Sequence, residues 1–366
     1  MAALTGVLAT AGMHPAAAKP APAPVPAPAP LVEYSAPAVP LALEPAAGLG
    51  ELGEVLGAGS SSTAAEHIAA VVQRREVSGT REILEVFSPA MNRTIVNEVL
   101  RPTRAGGGAG RGGGAPSLIL LNGALGNEDG VGWLNNSGIE EFFADKNVTV
   151  ILPVGGRFSF YTDWQTPDPV LGVNRWQTYL TRELPAAIDT AYGSNGRRAV
   201  AGLSMSGGPA LDLAIQAPDV FDAAASLSGC PAPSHPLATA GMSAMIAGGL
   251  NNPFNMWGPP GAPGWREHDP AVNVERLRGT AVYVSASTGA PGPVDRIPPG
   301  AVPPFGGMIV EALVNHCTSI FVDALQAAGV PATVSMRPDG AHTWALFEDQ
   351  LREAWHTTLA PALHTT

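Results

Sequence analysis

From about residue 80 onward, short runs of β-branched and aliphatic residues recur along the chain, at 82–87, 93–100, 117–121, 148–153, 198–203, 223–228, 280–286 and 332–337. Most are continuously apolar rather than alternating, the pattern of strands covered on both faces of a sheet. Between the later runs the period lengthens. Trp176, Leu180, Leu184 and Ile188 recur every four residues, and Trp344, Phe347, Leu351, Trp355 and Leu359 form a second stripe, so each stretch predicts an amphipathic helix. A further helical stretch covers 308–326. Strands alternating with helices predict parallel crossovers, while the first two runs lie close enough to form a hairpin that enters the sheet antiparallel. The pattern therefore predicts an α/β domain over 79–366, with a central, mostly parallel sheet of about eight strands flanked by helices.

Upstream the periodicity is absent. From Lys19 to Pro30 the chain reads KPAPAPVPAPAP, and an Ala, Gly, Ser and Pro bias continues to about residue 65. Proline removes backbone donors and the rest offers little to bury, so 19–78 is expected to be an extended or disordered linker. Residues 1–11 are weakly apolar, and Pro15-Ala16-Ala17-Ala18 supplies small residues suited to cleavage before Lys19. A basic n-region is missing, so 1–18 reads as a truncated signal peptide, with a plain unfolded N-terminus as the alternative. Export would place the protein in the cell envelope or outside the cell. No run is expected to reach the ~20 apolar residues of a membrane span.

Charge narrows the partners. With 31 acidic and 20 basic side chains the formal net charge is −11, which disfavours nucleic acid. The Gly-rich tract at 106–114 spells GxG, but it precedes a strand instead of following one, so it reads as a loop and not a phosphate cradle.

One strand-to-helix joint carries chemistry. The apolar run 199–201 leads into Gly202-Leu203-Ser204-Met205-Ser206-Gly207-Gly208, and a helix follows. A serine at such a turn projects its hydroxyl above the sheet edge, with the next backbone N–H facing a developing oxyanion. This is the nucleophile elbow of an α/β-hydrolase, except that Ser206 replaces the last glycine of the usual GxSxG. The alternative is a turn that merely packs strand on helix. A serine hydroxyl needs a base, and His235, His268, His316, His342, His356 and His364 follow it in the chain. Only His342, in Pro338-Asp339-Gly340-Ala341-His342-Thr343-Trp344, stands between the last strand and the last helix, where this fold presents its base. The carboxylate that orients the imidazole is less determined. Position after the 280–286 strand suggests Asp295, Glu311 lies in a helical stretch, and pattern alone does not choose between them.

With these motifs in place, the chain over about residues 87–363 resembles the actinobacterial mycolyltransferases, the antigen 85 family. The segments that carry the resemblance are Ser88-Pro89-Ala90-Met91-Asn92-Arg93, Leu120-Leu121-Asn122-Gly123, Pro153-Val154-Gly155-Gly156, Tyr161-Thr162-Asp163-Trp164, Gly202 to Ser206, Met256-Trp257-Gly258-Pro259 and Gly340 to Trp344. The Asn122-Gly123-Ala124 form and the two cysteines resemble the corynebacterial members most. The resemblance implies transfer of mycolic acyl chains from trehalose monomycolate through an acyl-enzyme, with no metal or nucleotide cofactor. It implies Ser204 as nucleophile, His342 as base and Glu311 as acid, overriding Asp295. It places the oxyanion donors at the backbone N–H groups of Met205 and Ala124, and Trp344 beside the sugar site. Two positions depart: the trehalose-contacting members have an aspartate and an arginine where this chain has Asn122 and Leu125. Trehalose, arabinogalactan or a protein serine are thus all expected as acceptors.

Cys230 and Cys317, the only cysteines, are expected to pair if the protein is exported. Two other readings compete: a carboxylesterase or lipase using the same triad, and a noncatalytic host-matrix-binding protein. Retention of Ser204, Glu311 and His342 disfavours the latter.

Overall fold

The computed structural model describes residues 69–102 and 114–365. The expected signal peptide, the linker up to residue 68 and nearly all of the Gly-rich tract lie outside the described residues. Each of the eight expected runs is a strand: β2 Arg81–Ser88, β3 Arg93–Leu100, β4 Ser117–Leu121, β5 Thr149–Pro153, β6 Arg198–Leu203, β7 Ala223–Leu227, β8 Ala281–Ser287 and β9 Thr333–Arg337. One more precedes them, β1 Ala70–Glu76, inside the stretch expected to be linker. Its side chains are exposed throughout, so no burial period marks it. Backbone pairing with β2 and a bond from Arg74 Nε to Glu82 Oε2 at 2.7 Å hold it at the sheet edge.

The sheet order is β1-β2-β3-β5-β4-β6-β7-β8-β9. β1, β2 and β3 pair antiparallel, as do β3 and β5, and every later pairing is parallel. Along β4 the alternation of side chains sends Ile119 and Leu121 to one face, against Trp176, Leu180 and Leu184. It sends Leu118 and Leu120 to the other, against Trp133, Phe347, Leu351 and Trp355. The two helical stripes read from sequence thus cover opposite faces of the same strands. The first stripe repeats every four residues, more than an α-turn holds, and a π-turn at Tyr179–Glu183 ahead of α1 (Leu184–Tyr192) takes up part of the excess.

Four more helices matter for the site: α2 Gly207–Gln216, α3 Pro236–Gly248, α4 Phe305–Ala328 and α5 Trp344–Ala354. α4 corrects one expectation, because it is long and apolar enough to meet the length and composition of a membrane span. Its glycines, alanines and scattered polar groups hide this in a residue-by-residue count. In the fold it flanks β8 and carries buried groups of the site. Parallel pairing aligns the C-terminal ends of β4, β6, β7, β8 and β9, with Leu121 opposite Gly202 and Leu203 opposite Leu227. The loops leaving those ends converge on one edge, where an open α/β sheet holds its site.

Candidate active site

Ser204 follows β6 directly and has φ of 53°. A non-glycine residue in that region costs about 1–3 kcal/mol, so its surroundings must enforce it. A Cβ on Gly202 would stand 2.2 Å from Ser206 O, and one on Gly207 would stand 2.7 Å from Gly229 Cα, so both approaches require glycine. Ser206, in place of the usual glycine, is buried and satisfied: its Oγ donates to Leu203 O at 3.0 Å.

His342 Nε2 lies 2.8 Å from Ser204 Oγ, and its Nδ1 lies 2.6 Å from Glu311 Oε2. A proton on Nδ1 donates to the carboxylate and leaves Nε2 free to accept from the serine hydroxyl. Phe347 packs edge-on against the imidazole at 4.8 Å. Glu311 belongs to the buried stripe of α4, with Val314, Cys317, Thr318, Phe321 and Leu325, and is 0% exposed. A buried carboxylate is tolerated only when its oxygens are filled by donors. Here Oε1 accepts from Ser228 Oγ and from Ser287 N–H, each at 2.7 Å, and Ser228 Oγ accepts in turn from Gln350 Nε2 at 2.9 Å.

Asp295 has a different task. Its Oδ1 accepts from Ala341 N–H at 2.9 Å and Thr343 Oγ1 at 2.8 Å, and its Oδ2 accepts from Gly292 N–H at 2.8 Å. It clamps the residues on both sides of His342, whose ring nitrogens face Ser204 and Glu311 instead.

The loop after β4 lies over the serine: a Cβ on Gly123 would stand 3.9 Å from Ser204 Cβ. Phe158 N–H to Ala124 O and Gly155 N–H to Gly126 O, both 2.8 Å, fix this loop from outside. Ala124 follows Gly123 in this loop, and Met205 follows Ser204 in the chain. Asn122, expected among the substrate-binding residues, lies beneath the loop surface. It is 1% exposed at the end of β4, its Nδ2 donates to Pro153 O at 3.2 Å, and its Oδ1 accepts from Trp133 N–H at 3.4 Å. Leu125, further along the same loop, is 42% exposed. Trp344 opens α5 half-buried, edge-on to Trp133 at 5.6 Å and to Phe347 at 5.9 Å.

Ser228, Ser287 and Gln350 escape the sequence reading. For Ser228 and Ser287 the signal was a polar residue at the end of an apolar strand, whereas Gln350, a polar residue on the inner side of α5, carried none. An apolar cavity of about 250 Å³ also opens beside Ser204, walled by Phe160, by Met242 and Met245 of α3, and by Val310, Leu313 and Val314 of α4. Cys230, which borders it, is joined to Cys317 of α4 by the expected disulfide. His268 is engaged away from the site: it meets Asp212 at 2.8 Å and stacks on Trp257.

The Esterase family model matches residues 88–358. The chain belongs to that family. It is 34% identical over 303 residues to the diacylglycerol acyltransferase/mycolyltransferase Ag85C of Mycobacterium avium, the match covering 77% of this chain and 80% of that protein. The similarly named Ag85A of Mycobacterium leprae is 34% identical over 284 residues, covering 74% of this chain and 80% of that one. Among solved structures, Mycobacterium tuberculosis MPT51 (FbpC1) superposes with a TM-score of 0.63 at 27% identity, covering 76% of this chain and 97% of that one. The Staphylococcus aureus serine hydrolase FphF shares the fold with a TM-score of 0.58 at 15% identity, covering 77% of this chain and 97% of that one. The chain is thus an α/β-hydrolase-fold member of the Ag85 family of esterase-like proteins.

Proposed function

We propose that the protein is a serine acyltransferase that moves mycolic acyl chains from trehalose monomycolate to an envelope acceptor, with Ser204, His342 and Glu311 as its triad. The observation that carries this is the hydrogen-bonded chain from Ser204 to Glu311 ending at the mouth of an apolar cavity. His342 Nε2 takes the Ser204 proton as Oγ attacks the ester carbonyl of the donor. Negative charge gathers on the former carbonyl oxygen, toward the N–H groups of Met205 and Ala124. The imidazolium, stabilised by Glu311, returns the proton to the departing sugar oxygen, leaving the acyl group on Ser204 and its chain along the cavity. An acceptor hydroxyl then gives its proton to His342, attacks the acyl-enzyme and carries the chain away, and His342 restores the proton to Ser204.

Two relatives named for mycolyl transfer support the acyl group, and the apolar walls of the cavity support a long chain over a short one. The disulfide supports an oxidising compartment, in keeping with export to the envelope. In the competing esterase reading, water takes the acceptor's place. The deciding experiment gives the enzyme trehalose monomycolate and resolves the lipid products, with Ser204→Ala as control. Transfer products and a fluorophosphonate adduct on Ser204 are expected, both lost in the variant. Free mycolic acid as the sole product would establish the esterase instead, and labelling that survives Ser204→Ala would remove the nucleophile assignment.

A further inference from the structure

α4 has two apolar sides. One turns Val310, Leu313 and Val314 into the cavity beside Ser204. On the other, Phe305 and Ile309, one helical turn apart, are 72% and 56% exposed, and Val302 just ahead of the helix is 89% exposed. The stretch between Arg296 and Glu311 contains no charged side chain. Glu311 is itself buried, and the next formal charge after it is Asp323. Charge is therefore absent from the exposed side of α4 ahead of Asp323, and only 33% of the helix's most apolar window is buried. Soluble proteins scatter single exposed apolar residues, whereas a continuous charge-free group beside a site marks a surface that something covers.

We propose that the 297–310 segment is a lipid-docking surface, with Val302, Phe305 and Ile309 entering a layer of packed acyl chains so that the cavity mouth opens toward that layer. The proposal rests on the acyltransferase reading, which supplies a substrate that lives in such a layer. Continuity decides the occupant: the residue after Ile309 already belongs to the cavity wall, so an acyl chain can pass from the layer to Ser204 along one helix without crossing water. A second copy fits worse. Two chains of net charge −11 repel, and three side chains fall well short of the ~800 Å² per partner that a stable protein interface buries. A basic lipid-binding patch is not needed, because binding at an interface scales with the apolar area inserted as well as with charge.

The test uses the full chain and sonicated vesicles of zwitterionic phosphatidylcholine at high salt, which removes charge attraction as a cause. Native protein should sediment with the vesicles. The double variant Phe305→Ser with Ile309→Ser, and separately Val302→Ser, should weaken partitioning, the double variant by at least about tenfold. Hydrolysis of p-nitrophenyl butyrate, a soluble ester, and fluorophosphonate labelling of Ser204 should be unchanged, since none of the three residues walls the cavity. Native protein that stays in the supernatant, or a double variant that binds as well as native, would overturn the proposal. So would a native dimer that these substitutions split without any vesicle binding, which would assign the surface to a second copy. Vesicle binding lost in the variants, in a protein that neither labels nor turns over soluble ester, would leave the docking surface standing and remove the acyltransferase reading.

Discussion

Replacing Glu311 by Gln tests the chemistry of the site more sharply than removing any larger group. The substitution preserves shape and exchanges one carboxylate oxygen for an NH2. The backbone N–H of Ser287, 2.7 Å from Oε1, is a donor that cannot rotate away, so the new amide must turn its oxygen to that side. Its NH2 then falls on the Oε2 side, 2.6 Å from His342 Nδ1. Two donors cannot face each other there. The imidazole is forced to place its proton on Nε2, where it can no longer accept from Ser204 Oγ. The same wrong-tautomer effect lowers turnover by roughly 10⁴ in a serine protease triad, which corresponds to about 5.5 kcal/mol of transition-state stabilisation. We expect a loss of about 10³–10⁴ in kcat for Glu311→Gln on p-nitrophenyl butyrate, with KM little changed. Asp295→Asn is the matched control. Its oxygen can still serve Ala341 and Thr343, while its NH2 opposes Gly292 N–H, so it should lose about 1–3 kcal/mol of stability and roughly tenfold or less in rate. Folding is checked by thermal unfolding of both variants. A larger rate loss in Asp295→Asn, or a Glu311→Gln enzyme within tenfold of native, would refute the reasoning.

Other outcomes follow from the same structure. Thiol titration of the unfolded, unreduced protein should find no free thiol, and reduction should lower the midpoint of urea unfolding, since closing a loop of 87 residues contributes up to ~4.6 kcal/mol in the chain-entropy picture. Ala238→Phe, inside the cavity beside Ser204, should spare turnover of p-nitrophenyl acetate but depress that of a long-chain ester by at least about tenfold, and equal losses on both would deny the cavity its acyl role. Asn122→Asp should destabilise the fold by about 2–3 kcal/mol or more in thermal or urea melts, because a carboxylate would face Pro153 O with no proton to donate. Leu125→Arg, at an exposed position, should leave stability unchanged and raise the share of acyl chains transferred to trehalose, measured by lipid product analysis.

The central sheet was legible because its strands are buried on both faces and so appear as unbroken apolar runs. β1 was not, because an edge strand exposed along its whole length carries no burial period and is held by backbone pairing and the Arg74–Glu82 contact. In the site, Ser204 and His342 stand out through local order alone, each in a turn between a strand and a helix. Position along the chain points to Asp295 for the acid, and Asp295 does reach the histidine loop, but through backbone and Thr343 rather than the ring. Glu311 reaches the ring from a helix, a relation set by how α4 packs on β8, which no local pattern encodes. Its one sequence mark is a lone carboxylate on an otherwise apolar stripe, Val310-Glu311-Ala312-Leu313-Val314, where solvation cannot hold a charge. The cavity leaves even less trace, since methionines and small residues on two helices read as ordinary core.

Asn122 and Leu125 show why a motif difference has to be judged in three dimensions. Read from sequence, they are two lost charges beside a nucleophile, and both would weaken a sugar contact. In the structure only Leu125 faces outward, while the Asn122 amide supplies one donor and one acceptor to two backbone groups that need them, Pro153 O and Trp133 N–H. An aspartate at that buried place could fill the second role but not the first, and would add a charge that needs a cation nearby. An arginine three positions on in the same loop could be that cation, and removing only one member of such a pair would strand the other. The two neutral residues therefore make a self-consistent alternative, in which the loop over Ser204 is braced by a neutral amide and turns an apolar side chain, Leu125, outward. It follows that restoring the arginine alone probes acceptor choice, whereas restoring the aspartate alone probes the fold.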